Sequence, residues 1–222
     1  MKIAILGGSF NPIHIGHCML AESVIKDLGY DKVLFVPTNL PPHKMLNNAP
    51  SAQERFNMVK AFCDTNSRFD AESCEIDRGG VSYTFDTLQF VLKKYASCLT
   101  GKIGLIMGQE VAAEFDKWHN CEEIIKISDL IIAKRYQSNN FIDTKMFENG
   151  KRSSYTGEFV DDSVFDNFPY DYTLLENPVL PISSTEIRAR IALGKSWQYL
   201  VPSEVFRYIN LNNLYGIENE RL

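Results

Sequence analysis

With 222 residues, a net charge of −5, 45% hydrophobic and 23% charged residues, the chain has the make-up of a globular protein with one substantial core. No apolar run approaches the ~20 residues of a membrane span, and the opening run 3–6 breaks into glycines too soon for a signal peptide. The acidic balance argues against a general nucleic-acid binder, and five widely spaced cysteines (Cys18, Cys63, Cys74, Cys98, Cys121) without a CxxC pair predict reduced, mostly buried thiols in a cytoplasmic protein.

The first predicted element is a strand at 2–6, short and rich in Ile as expected of a strand covered on both faces. The loop Gly7-Gly8-Ser9-Phe10-Asn11-Pro12 follows, then a helix over 16–28 that Gly29 is placed to end. A second strand at 32–36 runs into a proline-punctuated loop, 37–50. Ser51 and Glu54 form a capping-box pattern that opens a helix to Cys63. A weaker strand is expected at 71–76, a helix at 85–95, a strand at 103–107, one or two helices over 110–127, and a strand at 130–133. Residues 136–181 are polar and aromatic with no clear period, and read as an insertion or long loop holding a short strand at 172–175. Helices at 183–193 and 203–210 close the chain. Strands alternating with helices at this spacing predict an α/β fold, with a Rossmann-like doubly wound parallel sheet, helices on both faces and a small C-terminal helical part. A single domain over 1–222 is expected.

Three segments carry chemistry. The first, running from Gly7 to His17, joins a glycine loop to a helix start, which presents free amides and a positive dipole end to an anion. It is neither a Walker A loop nor GxGxxG, and it adds His14 and His17, three residues apart on one side of the first helical turn. Two imidazoles there can donate hydrogen bonds to a phosphoryl group as charge builds on its oxygens. As metal ligands they lack a third and fourth donor nearby in sequence, so no metal site is expected. The second segment is Pro41-Pro42-His43-Lys44, in which stiffening prolines present Lys44 as a phosphate-binding cation. The third is Ile182-Ser183-Ser184-Thr185-Glu186-Ile187-Arg188, where hydroxyls, free amides and an arginine meet at a helix start. Each segment alone also has a plain structural reading: a capped histidine, a solvated loop, a well-capped helix.

Together they resemble the nucleotidylyltransferase superfamily, and within it the bacterial nicotinate-nucleotide adenylyltransferases. That family opens with GG[ST]F[DN]PxHxGH, continues with PPHK and closes with ISSTxIRxR; this chain has GGSFNPIHIGH, PPHK and ISSTEIRAR in that order. Two intermediate segments also match, Ser82 to Leu88 and Gly108 through Phe115 to Trp118. The resemblance implies transfer of the adenylyl group of ATP to nicotinate mononucleotide, with pyrophosphate released and no covalent enzyme intermediate. It implies that His14 and His17 hold the α-phosphate and its transition-state charge, and that Arg188, with Ser183, Ser184 and Thr185, holds the β- and γ-phosphates. Gly7, Gly8, Ser9 and Phe10 would line the ATP site, with Gly108 and Glu110. Lys44 would act at the mononucleotide phosphate, with Arg135 as a looser match. Asn11, Tyr83, Thr84 and Trp118 would hold the rest of the mononucleotide, the indole face stacked on the pyridine. Mg²⁺ would arrive on the ATP phosphates.

Two departures stand out. Gly108-Gln109-Glu110 replaces the family's GxD, one methylene longer, and the stretch after Arg135 lacks the expected Pro-Gly. A nicotinamide-mononucleotide or a pantetheine-phosphate adenylyltransferase shares much of this pattern. A class I aminoacyl-tRNA synthetase does not, since no KMSKS-like loop is present. A nucleotide-sensing module on the same scaffold would be expected to lose a phosphate-binding group, and His14, His17, Lys44 and Arg188 are all there. The nicotinate preference rests on the resemblance, and the oligomeric state is open, a homo-oligomer included.

Overall fold

The computed structural model describes residues 1–40, 49–134, 136–138, 157–159 and 168–217. Strand β1 (Ile3–Gly8) sits at the centre of the sheet. Its side chains alternate as a strand requires, Ala4 and Leu6 entering one core and Ile3 and Ile5 the other. It pairs in parallel with β2 (Lys32–Pro37) on one side and β4 (Ile103–Gly108) on the other. Strands β3 (Phe69–Ala71), β5 (Ser128–Ala133) and β8 (Tyr172–Leu175) complete a six-stranded parallel sheet of order β3-β2-β1-β4-β5-β8. The order reverses between β1 and β4, the switch point of a doubly wound sheet. The Rossmann-like α/β architecture is therefore observed.

One face is covered by α1 (Ile15–Asp27), α2 (Ala52–Cys63), α7 (Ser184–Ala192) and α8 (Ser203–Leu211), through residues such as Val24, Met58, Ile187 and Val205. The other is covered mainly by α4 (Thr84–Lys94) and α6 (Cys121–Ile127), through Leu88, Val91 and Ile124. Helix α2 starts at the capping box read from the sequence: Glu54 N–H donates to Ser51 Oγ at 3.2 Å and Ser51 N–H to Glu54 Oε2 at 2.7 Å. Gly104 on β4 is required by packing, because a Cβ there would lie 2.7 Å from the Tyr30 ring.

The structure refines four local expectations. The strand expected at 71–76 ends at Ala71, where the chain leaves the sheet edge, and residues 74–78 form helix α3 (Cys74–Arg78). Its first turn is tied by Ser73 Oγ donating to Asp77 Oδ2 at 2.6 Å, a local bond that competes with extension. The region 110–127 breaks into α5 (Gln109–Ala112), a 3₁₀ turn at Phe115–Lys117 and α6, with Asn120 in the left-handed conformation at the break. Strands β6 (Tyr136–Ser138) and β7 (Gly157–Phe159), unseen in the sequence, form an antiparallel pair. Among the cysteines, Cys63 and Cys74 are buried, Cys18 and Cys121 half-buried, and Cys98 is exposed; all are free thiols. No helix among the described residues is long and apolar enough to cross a membrane.

Candidate active site

A cavity of about 950 Å³ opens at the carboxyl ends of β1 and β4, at the switch point where open α/β sheets bind ligands. Its floor is the end of β1. Gly7 and Gly8 still pair with Val36 and Pro37, so the strand runs two residues further than its apolar part predicts. Phe10 then turns with φ 42° and buries its ring beneath the loop, where it meets His17 edge-on with centroids 5.1 Å apart.

His14 is the N-cap residue of α1, and its carbonyl accepts from the N–H groups of His17 and Cys18 at 2.9 and 3.3 Å. The two imidazoles stack, with ring centroids 3.7 Å apart and planes at 29°. The His14 N–H donates to His17 Nδ1 at 3.2 Å, which assigns the proton of a neutral His17 ring to Nε2 and leaves that nitrogen a donor. Gly16 makes the stack fit. A Cβ there would lie 3.0 Å from His14 Cε1 and Nδ1 and 3.2 Å from Ile182 Cγ2.

The opposite rim comes from the other end of the chain. Ser183 caps α7, its Oγ accepting from Glu186 N–H at 3.1 Å, which leaves the amides of the first turn directed at an incoming anion. Ser184 Oγ donates to the Pro12 carbonyl at 2.8 Å, and Arg188 Nη1 to the Asn11 carbonyl at 2.7 Å. Arg188 Nη2 reaches Thr185 Oγ1 at 3.3 Å. The guanidinium is thereby fixed with donors to spare on the cavity side. Burial pulls its pKa below the ordinary arginine value, with Tyr215 opposing, and an arginine so placed remains charged.

Gly7, Gly8, Ser9, Phe10, His14, His17, Gly108, Glu110, Ser183, Ser184, Thr185 and Arg188 all line this cavity, as do Tyr83, Thr84 and Trp118. Tyr83 and Thr84 stand at the start of α4, and Trp118, also a lining residue, packs against buried Phe115 with centroids 5.3 Å apart. Asn11 sits behind the loop. It is not among the lining residues; it is 5% exposed, and its Oδ1 accepts from Tyr215 Oη at 2.9 Å. Lys44 and Arg135 lie outside the described residues.

Sequence reasoning missed several contributors. His119 lines the cavity with its ring 4.8 Å from that of Tyr83. Glu75 lines it from α3, with Oε1 accepting from Thr87 Oγ1 at 2.7 Å. Asn177 clamps the end of β5, its Oδ1 accepting from Lys134 N–H at 2.9 Å and its Nδ2 donating to the Lys134 carbonyl at 3.0 Å. Arg55 supports the glycine loop from behind. Only Arg55 had a readable signal, a charge on the 55, 58, 59, 62 stripe that is otherwise apolar.

A parallel sheet with a histidine-bearing glycine loop at its switch point and a serine-rich helix start opposite is the layout of a nucleotide-transferring α/β protein. The cytidylyltransferase-like family model matches residues 5–190, and the chain belongs to that family. More particular likenesses run along nearly its whole length. A Treponema pallidum protein named "Probable nicotinate-nucleotide adenylyltransferase" is 39% identical over 215 residues, 97% of this chain and 99% of the relative. A protein of the same name from Borreliella burgdorferi is 35% identical over 97% of each chain. Among solved structures, the Plasmodium falciparum nicotinic acid mononucleotide adenylyltransferase complexed with NaAD superposes with a TM-score of 0.68, over 98% of both chains at 18% identity, which supports the fold.

Proposed function

We infer that this chain transfers the adenylyl group of ATP to nicotinate mononucleotide, giving nicotinate adenine dinucleotide and pyrophosphate, a step of NAD biosynthesis. The relatives named for this activity support the reading along 97% of the chain. The observation that carries it is the convergence of His14 and His17 with Ser183 to Arg188, about 170 residues apart in sequence, on one cavity at the switch point of the sheet.

In this reaction an oxygen of the mononucleotide 5′-phosphate forms a bond to the α-phosphorus of ATP. The bond from that phosphorus to the oxygen bridging to the β-phosphate breaks, and its electron pair leaves with pyrophosphate. No side-chain nucleophile is needed, so the protein contributes position and charge. We assign the Nε2–H of His17, with His14, to the α-phosphoryl oxygens as their charge rises, and the α7 start with Arg188 to the departing phosphates. These groups are donors, and magnesium takes oxygen ligands, so ATP would enter as its magnesium complex with the metal on the phosphates. Tyr83, Thr84 and Trp118 would form the pyridine end, and Lys44 and Arg135 would serve the mononucleotide phosphate. An enzyme of such small, soluble substrates would work in the cytoplasm.

The test is pyrophosphate release with ATP and Mg²⁺, comparing nicotinate mononucleotide, nicotinamide mononucleotide and phosphopantetheine as acceptors. Release with the first is expected to exceed the others, and His17→Ala to lower the rate by about 10²–10³-fold. Preference for another acceptor would overturn the substrate assignment, and no release with any would overturn the activity.

A further inference from the structure

Arg55 is one of the largest fully buried side chains, 2% exposed, on the apolar stripe that α2 presents to the sheet. Its guanidinium makes two hydrogen bonds, Nη1 to the Ser9 carbonyl at 2.7 Å and Nη2 to the Asn39 carbonyl at 3.2 Å. The third nitrogen, Nε, is buried without a partner. Among the described residues no carboxylate forms an ion pair with it; Glu75 and Tyr215 act on it only through space. Removing a positive charge from water without a counter-charge is costly, and an apolar residue would fill the same volume at less cost. The position of the charge suggests what offsets that cost. It lies behind the glycine loop, bonded to the carbonyl of Ser9, which lines the cavity.

We propose that Arg55 is a positioning residue of the adenylyl-transfer site, tying the glycine loop to the 38–40 segment and holding a buried positive charge that bound polyphosphate completes. This rests on the functional reading above. The Ser9 carbonyl belongs to the same peptide unit as the Phe10 N–H, so a guanidinium on its oxygen fixes that unit and strengthens the N–H as a donor. The unit leads into Phe10, whose strained φ of 42° carries the ring that packs against His17. The second arm reaches the pyridine side. Asn39, whose carbonyl Arg55 holds, donates its N–H to Ser82 Oγ at 3.1 Å and its Nδ2 to the Gly80 carbonyl at 2.9 Å, just before Tyr83 and Thr84. One buried side chain thus links the residues on both sides of the reacting phosphates.

The experiment compares wild type, Arg55→Met and Arg55→Lys by melting temperature without ligand, by calorimetric titration with inorganic tripolyphosphate and with ATP, and by steady-state kinetics. Arg55→Met is expected to fold and yet bind both probes about tenfold more weakly. Arg55→Lys keeps the charge but cannot span two carbonyls, so it should recover most of the binding while kcat stays low. Binding by Arg55→Met equal to wild type would overturn the inference. So would Arg55→Lys binding as weakly as Arg55→Met, or the failure of both variants to fold, since Arg55 would then be a framework residue only. Wild-type protein that binds neither probe would overturn the functional reading, and this inference with it.

Discussion

Glu75 brings a carboxyl to the cavity wall at 6% exposure, with Oε1 accepting from Thr87 Oγ1 at 2.7 Å. Burial raises its pKa above the ordinary 4.5, and the hydrogen bonds from Thr87 and Ser82 and the charge of Arg78 only partly oppose this. The folded protein therefore holds this proton more tightly than the unfolded chain. The group's contribution to stability is full below pH 4.5 and is lost as pH rises through the raised value. Glu75→Gln keeps an acceptor for Thr87 and has no proton to lose. Its melting temperature should gain on wild type progressively as pH rises from 4.5 towards neutrality. A constant difference across that range would mean that the carboxyl is not shifted. Single residues of this kind were the least legible in the sequence. His14, His17 and Arg188 stood in recognisable segments, whereas Glu75 and His119 sit in stretches whose local pattern says nothing of the cavity. Asn11, inside the glycine segment, turned out to serve the wall from behind, because a hydrogen bond from a tyrosine 204 positions later claims its side chain.

At the scale of elements, local chemistry was legible and long-range chemistry was not. The start of α2 could be read because its capping box needs only residues 51 and 54. The end of β3 could not, because it depends on where the chain leaves the sheet edge. The junction between the glycine loop and α7 belongs to the second kind. Ser184, Arg188 and Tyr215 each bond to Pro12 or Asn11, and Ile182 closes over Gly16. Comparing two variants separates the two kinds of contact. Ser51→Ala removes a side-chain cap that bonds only to Glu54 of its own helix and should cost about 1 kcal/mol of stability with little change in kcat/KM. Tyr215→Phe removes one hydrogen bond, at a similar cost of about 1 kcal/mol. It also releases the Asn11 side chain beside the loop that carries His14, so kcat/KM should fall about tenfold. Denaturant melts alongside pyrophosphate release check both. If the two variants lose activity equally, the junction does not position the loop.

For the whole molecule, the question is how the C-terminal helices relate to the sheet. The sequence predicts a single domain with a small C-terminal helical part and does not place that part, because periodicity shows an apolar stripe but not what it covers. In the structure Ile187, Ile191, Val205, Ile209 and Leu214 enter the same core as Val24, Met58 and Phe62, and Asn57 Nδ2 donates to Tyr208 Oη at 3.0 Å. The stripes of α7 and α8 thus share a core with the first half of the chain, and α7 is also one rim of the cavity. A chain built this way has no core that melts alone, so calorimetry should record one unfolding transition with calorimetric and van't Hoff enthalpies equal. ATP, by bridging the two halves, should raise that transition without splitting it. At a hundredfold excess over its Kd the added stability is about 2.7 kcal/mol, or roughly 5–10 °C for a chain of this size. Two transitions, with only one shifted by ATP, would mean that the C-terminal helices form a separate unit and that the rim carrying Arg188 is completed only when nucleotide binds.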